Sequence, residues 1–291
     1  MGTDAIFNAN NWALVPFHFW SLCFFALGCI VGSFLNVCIY RLPRDLSVVR
    51  PRSHCPNCRR MIVWYDNVPV LSWLMLRGRC RNCLANIPWS YAAVELVTGM
   101  AFLLSAMALG PTMTAAKYAA FSAIMIALIV TDLQDRILPD ELTLGGTIVG
   151  LAIAPFASAE PGILAFFFWS KLSPPWMRLI DAGFAAAASC GLIWVIPWLY
   201  QKVKHREGGW MGLGDVKMMA MIGAFLGVRG SLFTMFLGGL LGSVLGYGYI
   251  LFRKKDPSNY ELPFGTFLGV AALLVAVWGE GMVGWYGRLG K

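Results

Sequence analysis

Long apolar runs separated by short polar stretches dominate this chain. Apolar segments fall at roughly 17–40, 91–110, 115–132, 142–157, 179–200, 213–228, 230–252 and 264–286. Most reach, or nearly reach, the ~20 residues that carry a helix across a bilayer. The fourth, LTLGGTIVGLAIAPFA, is short and rich in glycine. The stretch ILAFFFW at 163–169 is too short to span and is expected at an interface, beside the loop KLSPPW. The pattern predicts an all-α polytopic membrane protein with about eight transmembrane helices.

Composition removes the main alternative. Of the 291 residues, 58% are hydrophobic and 13% charged, about half the roughly 25% charged content of soluble domains. The mean hydropathy is +0.65. One large soluble core cannot absorb that much apolar surface. The first run, Trp12 to Tyr40, is preceded by Asp4 and by no lysine or arginine. A removable secretory signal starts basic and has a short apolar core, so this run is expected to stay as a membrane helix. The net charge of +8 sits in short loops, with no basic stripe interleaved with aromatics. Nucleic acid is therefore not an expected partner, whereas the lipid bilayer is.

The loop charges set an orientation. Arg41, Arg44, Arg50, Arg52, Arg59, Arg60, Arg77, Arg79 and Arg81 lie between the first two segments. Lys202, Lys204 and Arg206 follow the fifth, and Arg253, Lys254 and Lys255 the seventh. Loops of the other parity hold little more than Lys117, Lys171 and Arg178. The excess of positive charge in cytoplasmic loops then puts 41–90, 133–141, 201–212 and 253–263 in the cytosol, with both termini outside.

That orientation brings two acids to one depth. The third segment ends in LIVTDLQD at the cytosolic face, and the sixth begins there with GLGDVK. Asp132 and Asp215, 83 positions apart, thus become a candidate catalytic pair. Two facing carboxylates share one proton, because like charges at close range do not both ionise cheaply. One can act as general base on water while the other, protonated, polarises a carbonyl. This is peptide hydrolysis without a metal or a covalent intermediate. Gly212 and Gly214 would let the backbone approach a substrate closely, and Lys217 would position Asp215 or hold its charge. Plainer readings stand beside these. Asp215 can be an ordinary acidic residue at a helix N-terminus. Asp132 can be solvated or paired with Arg136, and Lys217 can be an ordinary cytosolic lysine. Asp135, Asp140 and Glu141 are expected to line a solvated loop, with a weak role in steering a basic substrate.

The loop between the first two segments carries its own chemistry. Residues 55–83 read CPNCRRMIVWYDNVPVLSWLMLRGRCRNC: two C-x2-C pairs separated by twenty-one residues. Each pair grips a metal from a tight turn, and two pairs complete a tetrahedral thiolate site. Cys55, Cys58, Cys80 and Cys83 are candidate ligands of structural zinc, with a redox pair or an iron centre as alternatives. In the reducing cytosol a disulfide is disfavoured. Cys23, Cys29, Cys38 and Cys190 lie in apolar helices and read as packing residues. The expected division is 1–40 for the first transmembrane helix, 41–90 for a small cytosolic tetracysteine zinc domain, and 91–291 for the transmembrane core.

Taken together, GSFLNVCIYRLP (32–43), the paired CxxC motifs, DNVPVLSWL (66–74), YAAVELVTG (91–99), TDLQDRILPDELT (131–143), GLGDVKMM (212–219) and PFGTF (263–267) resemble the type IV prepilin leader peptidases of bacteria. The resemblance implies a polytopic aspartic peptidase of the inner membrane. Such enzymes cut the basic leader from prepilins and pseudopilins on the cytosolic side, after a glycine. It also implies N-methylation of the new terminus with S-adenosylmethionine. The family's catalytic aspartates match Asp132 and Asp215, and its metal cysteines match the four above. No glycine-rich dinucleotide fingerprint is present, so the methyl donor's site is expected only within 32–99. The chain departs from the family at Thr266, where proline is common, and at Ala92. Neither departure is expected to touch the aspartates. A membrane transporter and a non-enzymatic secretion-system assembly protein are the alternatives. Paired acids at one membrane face, rather than the midplane, speak against transport.

Overall fold

The apolar runs form helices for the reason that makes them membrane segments: backbone polar groups in lipid must bond within their own segment. A computed structural model describes residues 17–157, 173–204, 212–246, 248 and 263–289. Helix α1 is Phe17–Arg41, α2 Leu71–Met75, α3 Trp89–Leu109, α4 Met113–Asp135 and α5 Asp140–Ile153. They are followed by α6 (Pro174–Lys204), α7 (Leu213–Leu241) and α8 (Phe264–Leu289). Among the described residues the only β pairing is two isolated bridges. Among the described residues five helices are long and apolar enough to cross a membrane, and α8 carries a shorter apolar helix, Phe264–Trp278. The structure is thus all-helical, with the tetracysteine loops between the first and second long helices. The interfacial stretch 163–169, Lys171, Arg206 and the basic residues 253–255 lie outside the described residues.

The chain divides into two compact units, Met1–Ala127 and Leu128–Lys291. In the first, α1 and α3 touch backbone to backbone. A Cβ on Gly28 would lie 2.8 Å from the Gly99 Cα, and one on Gly32 2.7 Å from the Glu95 Cα. Gly28 and Gly32 form a small-xxx-small face of the kind that packs helices in lipid, where apolar side chains gain nothing by leaving the tails. The Asn36 amide donates to the Tyr91 carbonyl at 2.9 Å and ties the helices at one end. Leu22 and Leu27 are half or more exposed, an apolar surface suited to lipid.

In the second unit α7 is central. Met218, Met219, Met221, Ile222 and Phe225 are essentially inaccessible. Phe225 sits against Gly150 of α5, Leu268 of α8 against Gly238, and Ile129 of α4 against Gly269 of α8. The Ser189 hydroxyl of α6 bonds that of Ser231 at 2.6 Å. The expected segment at 213–228 and the first part of that at 230–252 form one helical run, Leu213–Leu241, broken at Gly227, whose φ of 72° and ψ of −178° are non-helical. A positive φ is open to glycine at little steric cost, and it divides a helix too long for one straight crossing. On α6, Trp194 and Trp198 stack at 6.4 Å and Lys202 lies 5.0 Å from the Trp198 ring. Aromatics followed by a cation are the usual occupants of a membrane boundary.

Candidate active site and metal centre

Asp132 lies in the last turn of α4, where the helix dipole disfavours an anion. It is nevertheless buried, at 6% exposure. Helix α8 supplies the compensation. It begins at Phe264, after Pro263, so Thr266 is its third residue and its N–H has no acceptor within the helix. That N–H donates to Asp132 Oδ2 at 2.5 Å, and the Thr266 hydroxyl donates to the same oxygen at 2.7 Å. Asp132 therefore caps the positive end of a helix 134 positions away in the chain. At that exposure it is not a solvated loop residue.

Asp215 lies in the first turn of α7. Gly212 is the N-cap, with φ −53° and ψ 131°, and its carbonyl accepts the Asp215 N–H at 3.0 Å. Asp215 is 9% exposed, and among the described residues no donor bonds its carboxylate. It lies close enough to Asp132 for the two carboxylates to interact electrostatically. The structure thus brings together the two acids that the loop charges predict at one depth, and it makes them unequal: one holds two donors, the other none.

Two glycines permit this approach. A Cβ on Gly265 would lie 3.2 Å from Asp132 Cγ and 3.0 Å from Leu138 Cδ1. One on Gly214 would lie 3.0 Å from Leu138 Cβ. Leu138 is therefore wedged under both the GLGD turn and the start of α8. Gly212 is under less pressure, since a Cβ there would meet only Asp215 Oδ2 at 3.5 Å.

Two expectations are corrected here. The threonine that replaces the common proline does touch an aspartate, because Thr266 supplies both donors to Asp132; a proline would have neither N–H nor hydroxyl. Lys217 does not hold Asp215. Its ammonium bonds both oxygens of Asp140 at 2.7 Å, because two residues along a helix of 3.6 per turn carry its side chain to the face away from Asp215. Asp140 is thereby neutralised in part and is a poorer steering acid than its exposure suggests. In the sequence, Thr266 and Gly265 are marked only by the PFGTF motif, as part of the family resemblance. Leu138 carried no signal.

The cysteines form two matching turns. The Arg59 N–H donates to the Cys55 carbonyl at 2.9 Å and the Leu84 N–H to the Cys80 carbonyl at 3.0 Å. Each turn closes with a bridge, His54 with Met61 and Arg79 with Asn86. Arg59 and Leu84 adopt φ of 57° and 58°, left-handed positions that an L side chain takes at a cost. All four sulfurs lie within 4.8 Å of one another. Cys55 Sγ and Cys83 Sγ are 3.7 Å apart, near the roughly 3.8 Å edge of a tetrahedron with Zn–S bonds of about 2.3 Å. The Ala85 N–H and the Asn57 amide pull the Cys83 thiol down to about 6. Cys58 receives the Arg60 N–H, yet desolvation and the other three sulfurs push it up to about 11. Four crowded sulfurs resist full ionisation unless a cation sits among them, and this donor set fits zinc. Asp66 braces the second turn through a two-point pair with Arg81, at 2.8 and 2.6 Å. The Arg81 guanidinium holds the Asp66 carboxyl below its usual range.

Comparison with known proteins gives the chain a family. The profile described as the Bacterial Peptidase A24 N-terminal domain matches residues 26–109. That of the Type IV leader peptidase family matches 119–247. A protein of Aeromonas hydrophila named prepilin leader peptidase/N-methyltransferase is 33% identical over 94% of this chain and 95% of its own length. A relative of the same name in Myxococcus xanthus is 37% identical over 87% of this chain and 70% of its own. One in Pseudomonas aeruginosa is 31% identical over 89% and 90%. No solved structure matches the chain. On these similarities the chain belongs to the type IV leader peptidase family.

Proposed function

We propose that this protein cleaves the basic leader from type IV prepilins and pseudopilins at the cytosolic face of the bacterial inner membrane, using Asp132 and Asp215, and N-methylates the new terminus. The single observation that carries the aspartic mechanism is the pair itself. Two buried carboxylates meet at helix ends, and among the described residues only Asp132 holds donors.

That inequality suggests the roles. The Thr266 N–H and hydroxyl, at the positive end of α8, hold Asp132 Oδ2 in a fixed position from which this carboxylate can serve as the base. Asp215, with no donor and a neighbouring anion, is the better holder of the shared proton. Asp132 takes a proton from water as the oxygen attacks the scissile carbonyl. Asp215 gives its proton to the carbonyl oxygen, forming a neutral tetrahedral diol. Collapse breaks the C–N bond, the nitrogen takes back a proton, and the products are a leader ending in a carboxyl group and a mature chain with a free amine. The order of helix ends supports a substrate whose apolar helix lies in lipid and whose basic leader lies in the cytosol.

Zinc held by Cys55, Cys58, Cys80 and Cys83 would fasten residues 41–90. Four thiolates leave it no open position for catalysis. S-adenosylmethionine, when bound, would supply an electrophilic methyl group to the new amine and leave as S-adenosylhomocysteine, the amine losing a proton. Residues 91–291 would then form the peptidase core.

The test is mass spectrometry of a purified prepilin incubated with this protein in detergent, with and without S-adenosylmethionine. Loss of the leader plus one methyl group is the expected result. Loss of the leader alone removes the methylation part. An intact prepilin, with folded enzyme present, overturns the peptidase reading and favours the transporter or assembly alternatives.

A further inference from the structure

A cavity of about 360 Å³ opens where the last turns of α1 meet the loop after it and the 66–74 turn. Its size falls at the lower end of the roughly 300–1,000 Å³ of small-molecule sites. One wall is apolar, built by Ile30, Phe34 and Val37 on a single face of α1. The rest of the lining mixes Val48, Val49 and Pro51 with the polar Ser33, Arg41, Arg52 and Asn67.

Arg41 is the unusual member. It is buried, at 8% exposure. Its guanidinium donates to the carbonyls of Ser47 and Pro51, at 2.8 and 2.7 Å. Those bonds hold it in place but do not neutralise it, and among the described residues no carboxylate pairs with it. Two of its five N–H donors are used. A buried cation without a counter-charge is costly, and it faces a cavity that an anionic group could enter.

The rim opposite α1 is strained. Val70 has φ 62° and ψ −51°, and its neighbours close a three-residue γ-turn in which the Leu71 N–H donates to the Pro69 carbonyl at 2.6 Å. A β-branched residue there is strained. The turn is held by Glu95 of α3, whose Oε2 accepts the Val70 N–H at 2.7 Å. It sets Pro69 and Asn67 at the cavity edge. Such strain persists only where the surroundings enforce it, and it gathers at ligand clamps.

We infer that this cavity is the binding site of the methyl donor, S-adenosylmethionine, with Arg41 as the anchor for its carboxylate. The inference rests on the methylation part of the function proposed above. The donor joins a carboxylate, which answers Arg41 and the exposed Arg52, to a flat adenosyl group, which suits the Phe34 wall and the polar edge of Ser33 and Asn67. A pilin helix is too large for the space. Glu95 is a positioning residue, acting through the Val70 turn rather than on the ligand.

Equilibrium dialysis of radiolabelled S-adenosylmethionine against the purified full chain tests this, with zinc content as the measure of folding. Arg41→Gln and Ser33→Phe, the second filling the cavity without touching Arg41, are expected to weaken binding at least tenfold with zinc unchanged. Glu95→Leu is expected to weaken it also, and Glu95→Gln, which can still accept the Val70 N–H, to restore it. Donor binding of wild-type strength in both cavity variants, with zinc intact, overturns the location and leaves methylation standing. A wild-type chain that cuts the leader but binds no donor overturns both the location and the methylation reading. Phosphatidylglycerol retained by wild type and lost from Ser33→Phe, without competition from the donor, makes the cavity a lipid site and overturns the inference.

Discussion

Thr266 offers the sharpest test of the proposed division of labour. Its hydroxyl and N–H both donate to one oxygen of Asp132, at 2.7 and 2.5 Å. Thr266→Val removes the hydroxyl, preserves the branched shape and keeps the N–H. A hydrogen bond to a charged group is worth about 1.5–3 kcal/mol. If that stabilisation fixes Asp132 as the base, its loss lowers the cleavage rate roughly ten- to a hundredfold. Because both donors are spent on Asp132 and not on substrate, the change is expected in kcat with KM little altered. Thr266→Ser keeps the hydroxyl and restores the rate, which separates the hydrogen bond from packing. Thr266→Pro removes both donors while leaving a residue that suits the first turn of a helix. The assay is single-turnover cleavage of a purified prepilin in detergent, with kcat and KM resolved. Full activity in both Thr266→Val and Thr266→Pro would refute the argument that donor bonding to Asp132 sets the roles of the pair.

Other predictions follow from the same geometry. Asp132→Asn and Asp215→Asn are each expected to abolish cleavage while the protein still inserts in the membrane, as read by mass spectrometry and membrane fractionation. Gly265→Ala places a methyl group 3.2 Å from Asp132 Cγ and 3.0 Å from Leu138 Cδ1. The start of α8 must then retreat, at about 1–3 kcal/mol, and cleavage is expected to fall at least tenfold with little loss of expression. Cys58→Ser or Cys83→Ser is expected to release zinc and to make residues 41–90 protease-sensitive, and metal analysis showing no bound zinc in wild type would remove the tetrathiolate assignment. Arg81 lowers the Asp66 carboxyl from its ordinary 3.8, so the pair stabilises the fold above that pH and the stabilisation is lost as pH falls through the lowered value. Acid-induced opening of this region should therefore begin at higher pH in Arg81→Gln, and an unchanged profile would show that the pair contributes nothing.

What the sequence by itself determined is what repeats locally or obeys the membrane. Helix positions followed from apolar length, since lipid offers the backbone no other partner. The depth of Asp132 and Asp215 followed from counting arginine and lysine in loops, with no contact known. The tetracysteine site followed from two short spacings, because each C-x2-C pair is a complete local turn. Tertiary structure decided whatever depended on side chains far apart in the chain. Thr266 reaches Asp132 across 134 positions, and Lys217 crosses 77 to find Asp140 rather than its near neighbour Asp215. Glu95 holds the Val70 turn from another helix. Leu138 matters only because Gly214 and Gly265 converge on it. Arg59 and Leu84 occupy left-handed turns that would have signalled themselves only as glycine. Apolar periodicity and loop charge constrain a residue's depth and its helix. They leave open which face of that helix meets which neighbour, and the roles proposed for the two aspartates rest on those neighbours.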